Sequence, residues 1–202
     1  MYPKIIKTID QFNHQEIGED RKAVLAPLIE FIQKRVEGKQ AVDINFICTH
    51  NSRRSHLSQV WAQIASAYYG VPKVTCYSGG TEETAMFPKV VETLQDQGCQ
   101  IITLSRHENP VYAIKYDDQR HPVIGFSKKY DHPFNPASGF AAVMTCSQAD
   151  SGCPFIAGAD QRIPVTFGDP KASDGTPEQA AVYHDRSLQI GAEMFYVFSQ
   201  IK

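Results

Sequence analysis

A cysteine, an arginine and an aspartate have the residue types and positions needed for attack by sulfur on an anion. Cys48 ends the apolar run over residues 42–47, and Arg54 follows six residues later. A thiolate is a strong nucleophile, and a guanidinium binds two oxygens of one anion in a geometry that lysine does not reproduce. Asp169, just before Pro170, supplies a carboxyl group suited to protonating a leaving oxygen. These residues favour covalent chemistry on a tetrahedral oxyanion.

The segment between Cys48 and the next predicted helix is expected to bind that oxyanion through its backbone. A short loop that closes onto a helix start points several N–H groups inward, and the helix dipole adds partial positive charge. The loop amides and the hydroxyl of Ser55 are expected to stabilise the thiolate. Asn51 is expected to hold the loop's shape, and the side chain of Arg53 to point to solvent. The predicted oxyanion-binding residues are Thr49, His50, Asn51, Ser52, Arg53, Arg54 and Ser55.

Each of these patterns has a simpler interpretation. Cys48 is also consistent with a buried strand cysteine that packs as a small hydrophobic residue. Asp169-Pro170 is also a common way to begin a turn. Only the position of the aspartate opposite a thiolate loop favours the catalytic interpretation.

A second pair of thiols, Cys146 and Cys153, brackets a polar segment. In a regular helix, seven residues separate two Cα atoms by about 10.5 Å, beyond the limit of roughly 7 Å for a disulfide, so bridging requires local unwinding. Polar residues, Gly152 and Pro154 favour such unwinding, which predicts a reversible disulfide with a conformational change. Two unrelated thiols near a loop are the alternative. Cys76 and Cys99 are expected to be structural.

Apolar periodicity predicts alternating strands and helices. Strands are predicted over 42–48, 74–78, 141–145 and 165–167, and helices over 20–36, 55–69, 88–97 and 177–200. This alternation predicts an α/β fold with a doubly wound, mostly parallel four-stranded sheet, helices on both faces and ligands at the carboxyl ends of the strands. Cys48, Cys146 and Asp169 fall at such ends. Gly79-Gly80 is interpreted as a turn.

The 202 residues are expected to form one domain, 1–202, with a helical N-terminal extension over 1–40 and an insertion over 105–140. A formal charge of −2 without a basic run predicts no nucleic-acid partner. The absence of a signal-like or bilayer-length apolar segment predicts no membrane association and a cytoplasmic location. The five cysteines and seven histidines, among them His14, form no metal-binding pattern, so no bound metal or cofactor is predicted.

Several motifs, in order, resemble the low-molecular-weight protein tyrosine phosphatase superfamily and, within it, the thioredoxin-coupled arsenate reductases. The resemblance covers roughly residues 42–104 and 140–200. His50 stands where the reductases commonly have glycine, and Gln59 where some have a glutamate in a potassium site, so no potassium binding is predicted. The motifs are Cys-Thr-His-Asn-Ser-Arg-Arg-Ser at 48–55, Tyr-Ser-Gly-Gly at 77–80, the segment 143–154 with its two cysteines, and Thr-Phe-Gly-Asp-Pro at 166–170.

The resemblance implies an enzyme that reduces arsenate to arsenite. Cys48 would attack arsenate held by Arg54, and Asp169 would assist the loss of an oxygen. Cys146 would then attack Cys48, Cys153 would attack Cys146, and thioredoxin would reduce the resulting disulfide.

Two other functions are consistent with the same motifs. The first alternative is a low-molecular-weight protein tyrosine phosphatase that hydrolyses phosphotyrosine or small aryl phosphates through a phosphocysteine at Cys48. In that case Tyr130 or Phe134 would replace the aromatic residues that such phosphatases carry after Asp-Pro, because Lys171 follows Pro170 here. The second alternative is a non-enzymatic redox switch that binds an oxyanion and signals through residues 146–153.

Overall fold

Seven strands and six α-helices make up the part of the chain that the computed structural model describes, residues 1–12, 16–153 and 155–202. The helices are α1 (Pro3–Phe12), α2 (Glu19–Glu37), α3 (Arg54–Tyr68), α4 (Pro88–Asp96), α5 (Ser147–Gly152) and α6 (Gln179–Ser199). The strands are β1 (Val42–Cys48), β2 (Val74–Gly80), β3 (Gln100–Ser105), β4 (Val111–Lys115), β5 (Val123–Gly125), β6 (Phe140–Met144) and β7 (Ala159–Pro164). Two residues named in the sequence analysis, His14 and Pro154, lie outside the described residues.

The central sheet has four strands in the order β2-β1-β6-β7, and all neighbouring pairs are parallel. Near its carboxyl edge, Ile47 of β1 is paired with Gly79 of β2 on one side and Met144 of β6 on the other. Parallel strands joined by helices are the pattern that the sequence predicts, so the predicted α/β fold class is confirmed. The register places the residues that follow β1 and β6 side by side at one edge.

The two faces of this sheet are covered very differently. On one face Val42, Ile44 and Phe46 of β1 belong to a large buried cluster with residues of α2, α3 and α6. The other face carries a smaller cluster, hereafter the second cluster, of Ile47, Cys48, Phe140, Ala142, Met144, Cys146, Ala149 and Ile156. The helix that contributes to the second cluster is α5, which has only six residues. Most of the burial that stabilises the fold therefore lies on the first face.

The fourth parallel strand differs from the prediction. Val165–Phe167 is not a strand, and β7 lies just before it, with Pro164 as its last residue. Two hydrogen bonds still guide the chain beyond β7, from the Val165 N–H to the Met144 carbonyl and from the Phe167 N–H to the Thr145 carbonyl. The predicted strand 165–167 is wrong because the edge strand β7 is polar and half exposed, and carries no apolar pattern to identify it.

The predicted insertion over 105–140 contains regular structure. Strands β4 and β5 join β3 in an antiparallel sheet of order β3-β4-β5. The chain then returns towards the central sheet, where the Gly80 N–H donates to the Lys128 carbonyl and the Tyr130 N–H to the Gly80 carbonyl. This segment therefore packs beside the carboxyl end of β2.

The N-terminal residues form the two helices α1 and α2. The ring of Phe12 in α1 lies 5.1 Å from Trp61 and 5.0 Å from Phe195, measured between ring centroids. Gly191 of α6 makes this approach possible, because a Cβ there would lie 2.4 Å from the Phe12 ring. Among the described residues, no helix has both the length and the apolar character needed to cross a bilayer.

Candidate active site

A small cleft at the carboxyl edge of the central sheet brings together the predicted nucleophile, arginine and acid. Its volume is about 180 Å³. Gln148 and Lys171 also line it, and the sequence analysis did not assign either residue to the site. Asn51 and Ser55 lie behind the cleft wall and are fully buried or nearly so. The lining residues are Cys48, Thr49, His50, Ser52, Arg53, Arg54, Gln148, Asp169 and Lys171.

The loop between β1 and α3 turns its carbonyl groups away from the cleft. The Cys48 carbonyl accepts from the Thr81 N–H at 3.1 Å, and the Thr49 carbonyl accepts from the Glu82 N–H at 2.8 Å. Further on, the Phe87 N–H donates to the Ser52 carbonyl at 3.0 Å. Partners from outside the loop thus fix the outward orientation of its carbonyls.

The amide groups of the same loop have no such partners. In the part of the chain that the structure describes, no backbone N–H of residues 49–55 donates a hydrogen bond to protein. Unpaired N–H groups that share a concave loop and the first turn of a helix form a ready binding site for a tetrahedral anion. The backbone geometry is therefore suited to an oxyanion.

Asn51 holds the loop in a conformation that few residues adopt, with φ at 43°. Its side-chain Oδ1 accepts from the Lys128 N–H at 2.9 Å, so its Nδ2 faces Ser55 and donates to Oγ at 2.9 Å. Ser55 Oγ accepts this bond and keeps its own hydrogen available for Cys48 Sγ, 3.1 Å away. The arrangement is suited to donating a hydrogen bond to the sulfur of Cys48.

Arg54 and Asp169 face each other across the cleft. Arg54 Nη2 donates to Asp169 Oδ2 at 2.7 Å, and Nη1 donates to the Phe167 carbonyl at 3.0 Å. The other oxygen of Asp169 accepts from the Lys171 N–H at 3.1 Å, which begins a short 3₁₀ helix, Pro170–Ser173. Asp169 thus begins a turn and also lies in the cleft, so the two interpretations of Asp169-Pro170 are compatible.

The prediction that Arg53 points to solvent is wrong. Its side chain is only 13% exposed. Nε donates to the Tyr183 hydroxyl and Nη2 to Asp174 Oδ2, both at 2.6 Å, while the guanidinium lies 4.1 Å from the Phe87 ring centre. Burial favours the neutral acid at Asp174, but hydrogen bonds from Tyr183 and Gln179 and the Arg53 charge outweigh it and lower the pKa of Asp174. Arg53 therefore ties the loop to α6.

The second thiol lies against the loop that carries the first. Cys146 is fully buried, and its Sγ is 3.4 Å from Thr49 Oγ1. The same sulfur accepts from the Ala149 N–H at 3.3 Å and so caps the start of α5. Cys48 and Cys146 both belong to the second cluster. The structure therefore brings these two predicted relay residues together.

Cys153 is separated from Cys146 by the whole of α5. The side chain of Arg162 holds this end of the helix: Nε donates to the Cys153 carbonyl at 2.9 Å and Nη2 to Asp150 Oδ1 at 2.5 Å. Cys153 is half-buried, and all five cysteines are free thiols. Helical geometry keeps Cys146 and Cys153 too far apart to bond until α5 unwinds.

The glycines 79 and 80 do not form the predicted turn. They end β2, where Gly80 is pressed against the loop: a Cβ there would lie 2.7 Å from both the Asn51 nitrogen and the Thr49 carbonyl oxygen. A Cβ on Gly79 would lie 2.4 Å from the Tyr130 Cα. Only glycine allows the loop and the segment after β5 to approach β2 this closely.

A buried polar group behind the loop was not anticipated from the sequence. His56 Nε2 bonds the Asn51 carbonyl at 2.9 Å, and its Nδ1 lies 3.2 Å from Ser78 Oγ. Burial, with a contribution from the charge of Lys128, lowers the pKa of His56 to about 3. The neutral ring therefore donates through Nε2 and accepts through Nδ1. The Tyr-Ser-Gly-Gly motif at the end of β2 was the available signal for Ser78.

The remaining cysteines have the surroundings of structural thiols. Burial raises the pKa of Cys76, and it raises the pKa of Cys99 to about 12. Both therefore stay protonated at neutral pH and are poor nucleophiles. The reactive candidates are Cys48 and Cys146 at the carboxyl edge of the sheet and Cys153 at the far end of α5.

Comparisons with known proteins agree with this architecture. No protein-family model matches the chain. Arsenate reductase 2 of Staphylococcus haemolyticus is 27% identical over 128 residues, which are 63% of this chain and 77% of that protein. The structure of a low molecular weight phosphotyrosine phosphatase from Vibrio cholerae O395 has a TM-score of 0.51 and 13% identity over 79% of this chain and 95% of that one. An arsenate reductase in the phosphate binding state has a TM-score of 0.51 and 15% identity over 80% and 99%.

Proposed function

We propose that this chain, which has the fold of the low-molecular-weight protein tyrosine phosphatase superfamily as its motifs predict, is an enzyme that reduces arsenate to arsenite. Cys48, Cys146 and Cys153 would act in turn, and an external dithiol protein of the thioredoxin type would regenerate them. The oxyanion would bind to the loop amides of residues 49–55 and to Arg54.

One observation favours reduction over hydrolysis as the reaction of this site. Cys146 Sγ lies 3.4 Å from Oγ1 of Thr49, the residue next to the nucleophile. A hydrolase acting through Cys48 needs only water to complete its cycle and has no use for a second thiol at this point. A reductase needs a thiol there, because it must displace arsenic from the first sulfur.

The first half of the proposed cycle forms a covalent adduct. The Cys48 thiolate attacks arsenic, an S–As bond forms, and one arsenate oxygen leaves as water. The hydrogen bond from Ser55 to Cys48 Sγ, 3.1 Å long, supports the thiolate before attack. The unpaired amides of the loop and the Arg54 guanidinium would stabilise the negative charge on the remaining oxygens.

Asp169 would supply the proton to the leaving oxygen. In the structure its carboxylate is paired with Arg54 at 2.7 Å. An oxyanion that bonds Arg54 would compete for this guanidinium and place negative charge beside Asp169, which favours the protonated carboxyl group. Substrate binding would thereby prepare the acid.

The second half of the cycle transfers two electrons to arsenic. The Cys146 thiolate attacks Cys48 Sγ, an S–S bond forms, the S–As bond breaks, and its electron pair remains on arsenic, which leaves as arsenite. Cys153 then attacks Cys146, and Cys48 is released as a thiolate. The last disulfide requires unwinding of α5, whose six residues make few buried contacts beyond Ala149.

The shape of the cleft argues against a phosphotyrosine substrate. No phenylalanine, tyrosine or tryptophan is found among the described residues that line the cleft. Tyr130 packs against the second cluster, and Phe134 lines a different cavity of about 360 Å³ with Gln59, so neither described ring replaces the aromatic residues missing after Asp169-Pro170. A cleft of about 180 Å³ lined by polar groups suits a bare oxyanion better than a phosphorylated ring.

The experiment that tests the proposal follows NADPH oxidation by purified protein with thioredoxin and thioredoxin reductase, before and after addition of arsenate. We expect arsenate-dependent oxidation that disappears in Cys153→Ser. After a single addition of arsenate, the Cys153→Ser protein should release one equivalent of arsenite and retain a Cys48–Cys146 disulfide, detected by peptide mass spectrometry.

A matched control is Cys146→Ser, which should form no such disulfide and turn over no arsenate, yet keep most of any aryl phosphate hydrolysis. Equal loss of both reactions in Cys146→Ser would contradict its assigned role. Hydrolysis of aryl phosphate by the unmutated protein, without any arsenate-dependent oxidation of NADPH, would contradict the proposed reductase and indicate a phosphatase instead.

A further inference from the structure

Lys128 is buried behind the oxyanion loop without an acidic partner. Its side chain is completely inaccessible to solvent, and no carboxylate among the described residues forms an ion pair with it. The ammonium group donates to the Phe126 carbonyl at 3.1 Å and lies 4.2 Å from the Phe126 ring centre. Removing a charge from water is costly, so an unpaired buried lysine is rare unless it acts on a neighbouring site.

Hydrogen-bond polarity connects this ammonium to the loop. Lys128 Nζ is a donor only, and it lies 3.5 Å from Ser78 Oγ, at the outer limit of a hydrogen bond. The hydrogen of Ser78 Oγ points to Nδ1 of His56, 3.2 Å away, because the neutral ring carries its own hydrogen on Nε2. The other ring nitrogen then carries the hydrogen that bonds the Asn51 carbonyl at 2.9 Å. Each hydrogen bond in this series, from Lys128 through Ser78 and His56 to Asn51, is donated in the direction of the loop.

The backbone of the same lysine holds Asn51 from another side. The Lys128 N–H donates to Asn51 Oδ1 at 2.9 Å, and this bond orients the amide that supports Ser55 and Cys48. Neighbouring Ser127 adds a bond from its hydroxyl to the His50 carbonyl at 3.0 Å. The segment after β5 thus contacts the loop at several consecutive residues.

We propose that Lys128 is a positioning residue for the oxyanion loop: its buried ammonium, through Ser78 and His56, orients the Asn51 peptide and supplies positive charge behind the loop amides. This role rests on the proposed function only in that the loop must bind an oxyanion. It gives the insertion over 105–140 a direct part in the site.

Burial of the Lys128 charge destabilises the fold. This effect distinguishes a positioning role of Lys128 from a purely structural one. Burial lowers the pKa of Lys128 to about 7, so the group is partly charged at neutral pH although nothing acidic compensates it. His56, the titratable group that it approaches through Ser78, stays neutral. Replacing a lysine of this kind by an apolar residue of similar length removes the unfavourable burial. The fold should therefore keep or gain stability, while the loop loses its support.

The test measures binding of inorganic phosphate to an unreactive parent, Cys48→Ser, by isothermal titration, so that no turnover is needed. Adding Lys128→Met to this parent should weaken phosphate binding about tenfold, the effect of losing one charge-assisted interaction. Its midpoint of urea unfolding should equal or exceed that of the parent. Lys129→Met, a change at the exposed neighbouring lysine, should alter neither property.

A small cation provides a second readout that a structural role would not change. Lys128→Ala in the same parent leaves room behind the loop, and ammonium chloride should restore phosphate affinity, whereas sodium chloride at the same concentration should not. Unchanged phosphate affinity in Lys128→Met would overturn the inference, as would a parallel loss of affinity and stability or equal effects of the two salts. A parent that binds no phosphate would instead overturn the proposed function and, with it, this role for Lys128.

Discussion

Arg54 and Asp169 form an ion pair across the cleft, with Arg54 Nη2 only 2.7 Å from Asp169 Oδ2. The two residues belong to α3 and to the segment after β7, which the fold brings together at the carboxyl edge of the sheet. The Arg54 side chain is 10% exposed and the Asp169 side chain 41%, so the pair is one-sided: the arginine is fixed, and the acid, which the Lys171 N–H holds through its other oxygen, remains accessible to solvent. The pair therefore closes the anion site in a way that an incoming oxyanion can reverse.

Asp169→Asn should separate binding from proton transfer. The amide no longer neutralises Arg54, so the KM for arsenate should stay equal or fall, while kcat should fall by about 10²- to 10⁴-fold, the usual contribution of a general acid. Steady-state kinetics on arsenate check this expectation. Asp160→Asn, at the half-exposed partner of Arg35, is the control and should leave both constants unchanged. A higher KM with an unchanged kcat would mean that Asp169 contributes to binding alone.

Two changes at the end of α5 should alter disulfide formation between Cys146 and Cys153 in opposite directions. Arg162→Met removes the bonds to the Cys153 carbonyl and to Asp150, so unwinding becomes easier and the disulfide should form about tenfold faster, since one charged hydrogen bond contributes about 1.5 kcal/mol or more. Gly152→Ala has open space for its Cβ and adds helix propensity, so it should slow the same step by about threefold to fivefold.

Thiol trapping after exposure of each α5 variant to a mild oxidant such as diamide gives these rates without arsenate. Arg106→Met, at an exposed arginine of the chain, is the control for the Arg162 change. Rates that move in the same direction for Arg162→Met and Gly152→Ala would exclude unwinding of α5 as the limiting step.

The difference in stability between Lys128→Met and the unmutated protein should depend on pH. Between about pH 7, the pKa of Lys128 in the folded protein, and pH 10.5, the ordinary pKa of a lysine, the unfolded chain binds a proton that the folded chain lacks. The free energy of unfolding of the unmutated protein therefore rises with pH by up to about 1.4 kcal/mol per pH unit from this group alone. The advantage of the variant should be largest at or below pH 7 and shrink as pH increases.

Urea unfolding at pH 7, 8 and 9 provides the stability difference for Lys128→Met. Groups such as Cys99, whose pKa burial raises, act on both proteins and cancel in the comparison. A difference that stays constant over this range would show that the lysine does not titrate as described.

Gly191→Ala should destabilise the protein although alanine is the better helix former. The added Cβ would lie 2.4 Å from the ring of Phe12, so α1 must shift away from α6, at a cost of about 1–3 kcal/mol that exceeds the gain of about 1 kcal/mol in helix propensity. Thermal unfolding measures the effect. In a Phe12→Leu background the same change should cost little or nothing. Additive losses in the double variant would mean that this contact is not the cause.

The sequence predicts the inner strands of the central sheet well because they depend on short-range patterns. Strand β1 has the predicted limits of 42–48, since apolar residues at alternate positions, Val42, Ile44 and Phe46, are typical of a strand with one face in the core. The polar edge strand β7 has no comparable pattern and was missed. Strands β3, β4 and β5 were also missed, and in β3 the apolar side chains of Ile102 and Leu104 are exposed.

The supporting residues of the site depend on long-range contacts that no local pattern reveals. Arg53 is bound by Asp174 and Tyr183, residues more than a hundred positions away, so its own sequence context suggested only an exposed charge. Lys128 looks like a surface residue in the sequence for the same reason. The cysteines and Asp169 were identifiable because their chemistry and their positions after strands are both local.

The unequal covering of the two sheet faces has a consequence for motion. A protein that rearranges during its reaction cycle can expose part of its core in every cycle. Here the rearrangement proposed for α5 takes place on the lightly covered face, beside a cluster of eight buried residues, while the aromatic contacts of Phe12, Trp61 and Phe195 lie on the opposite side of the sheet. Because the sheet lies between the two, the proposed unwinding of α5 would not require the large buried cluster on the other face to loosen.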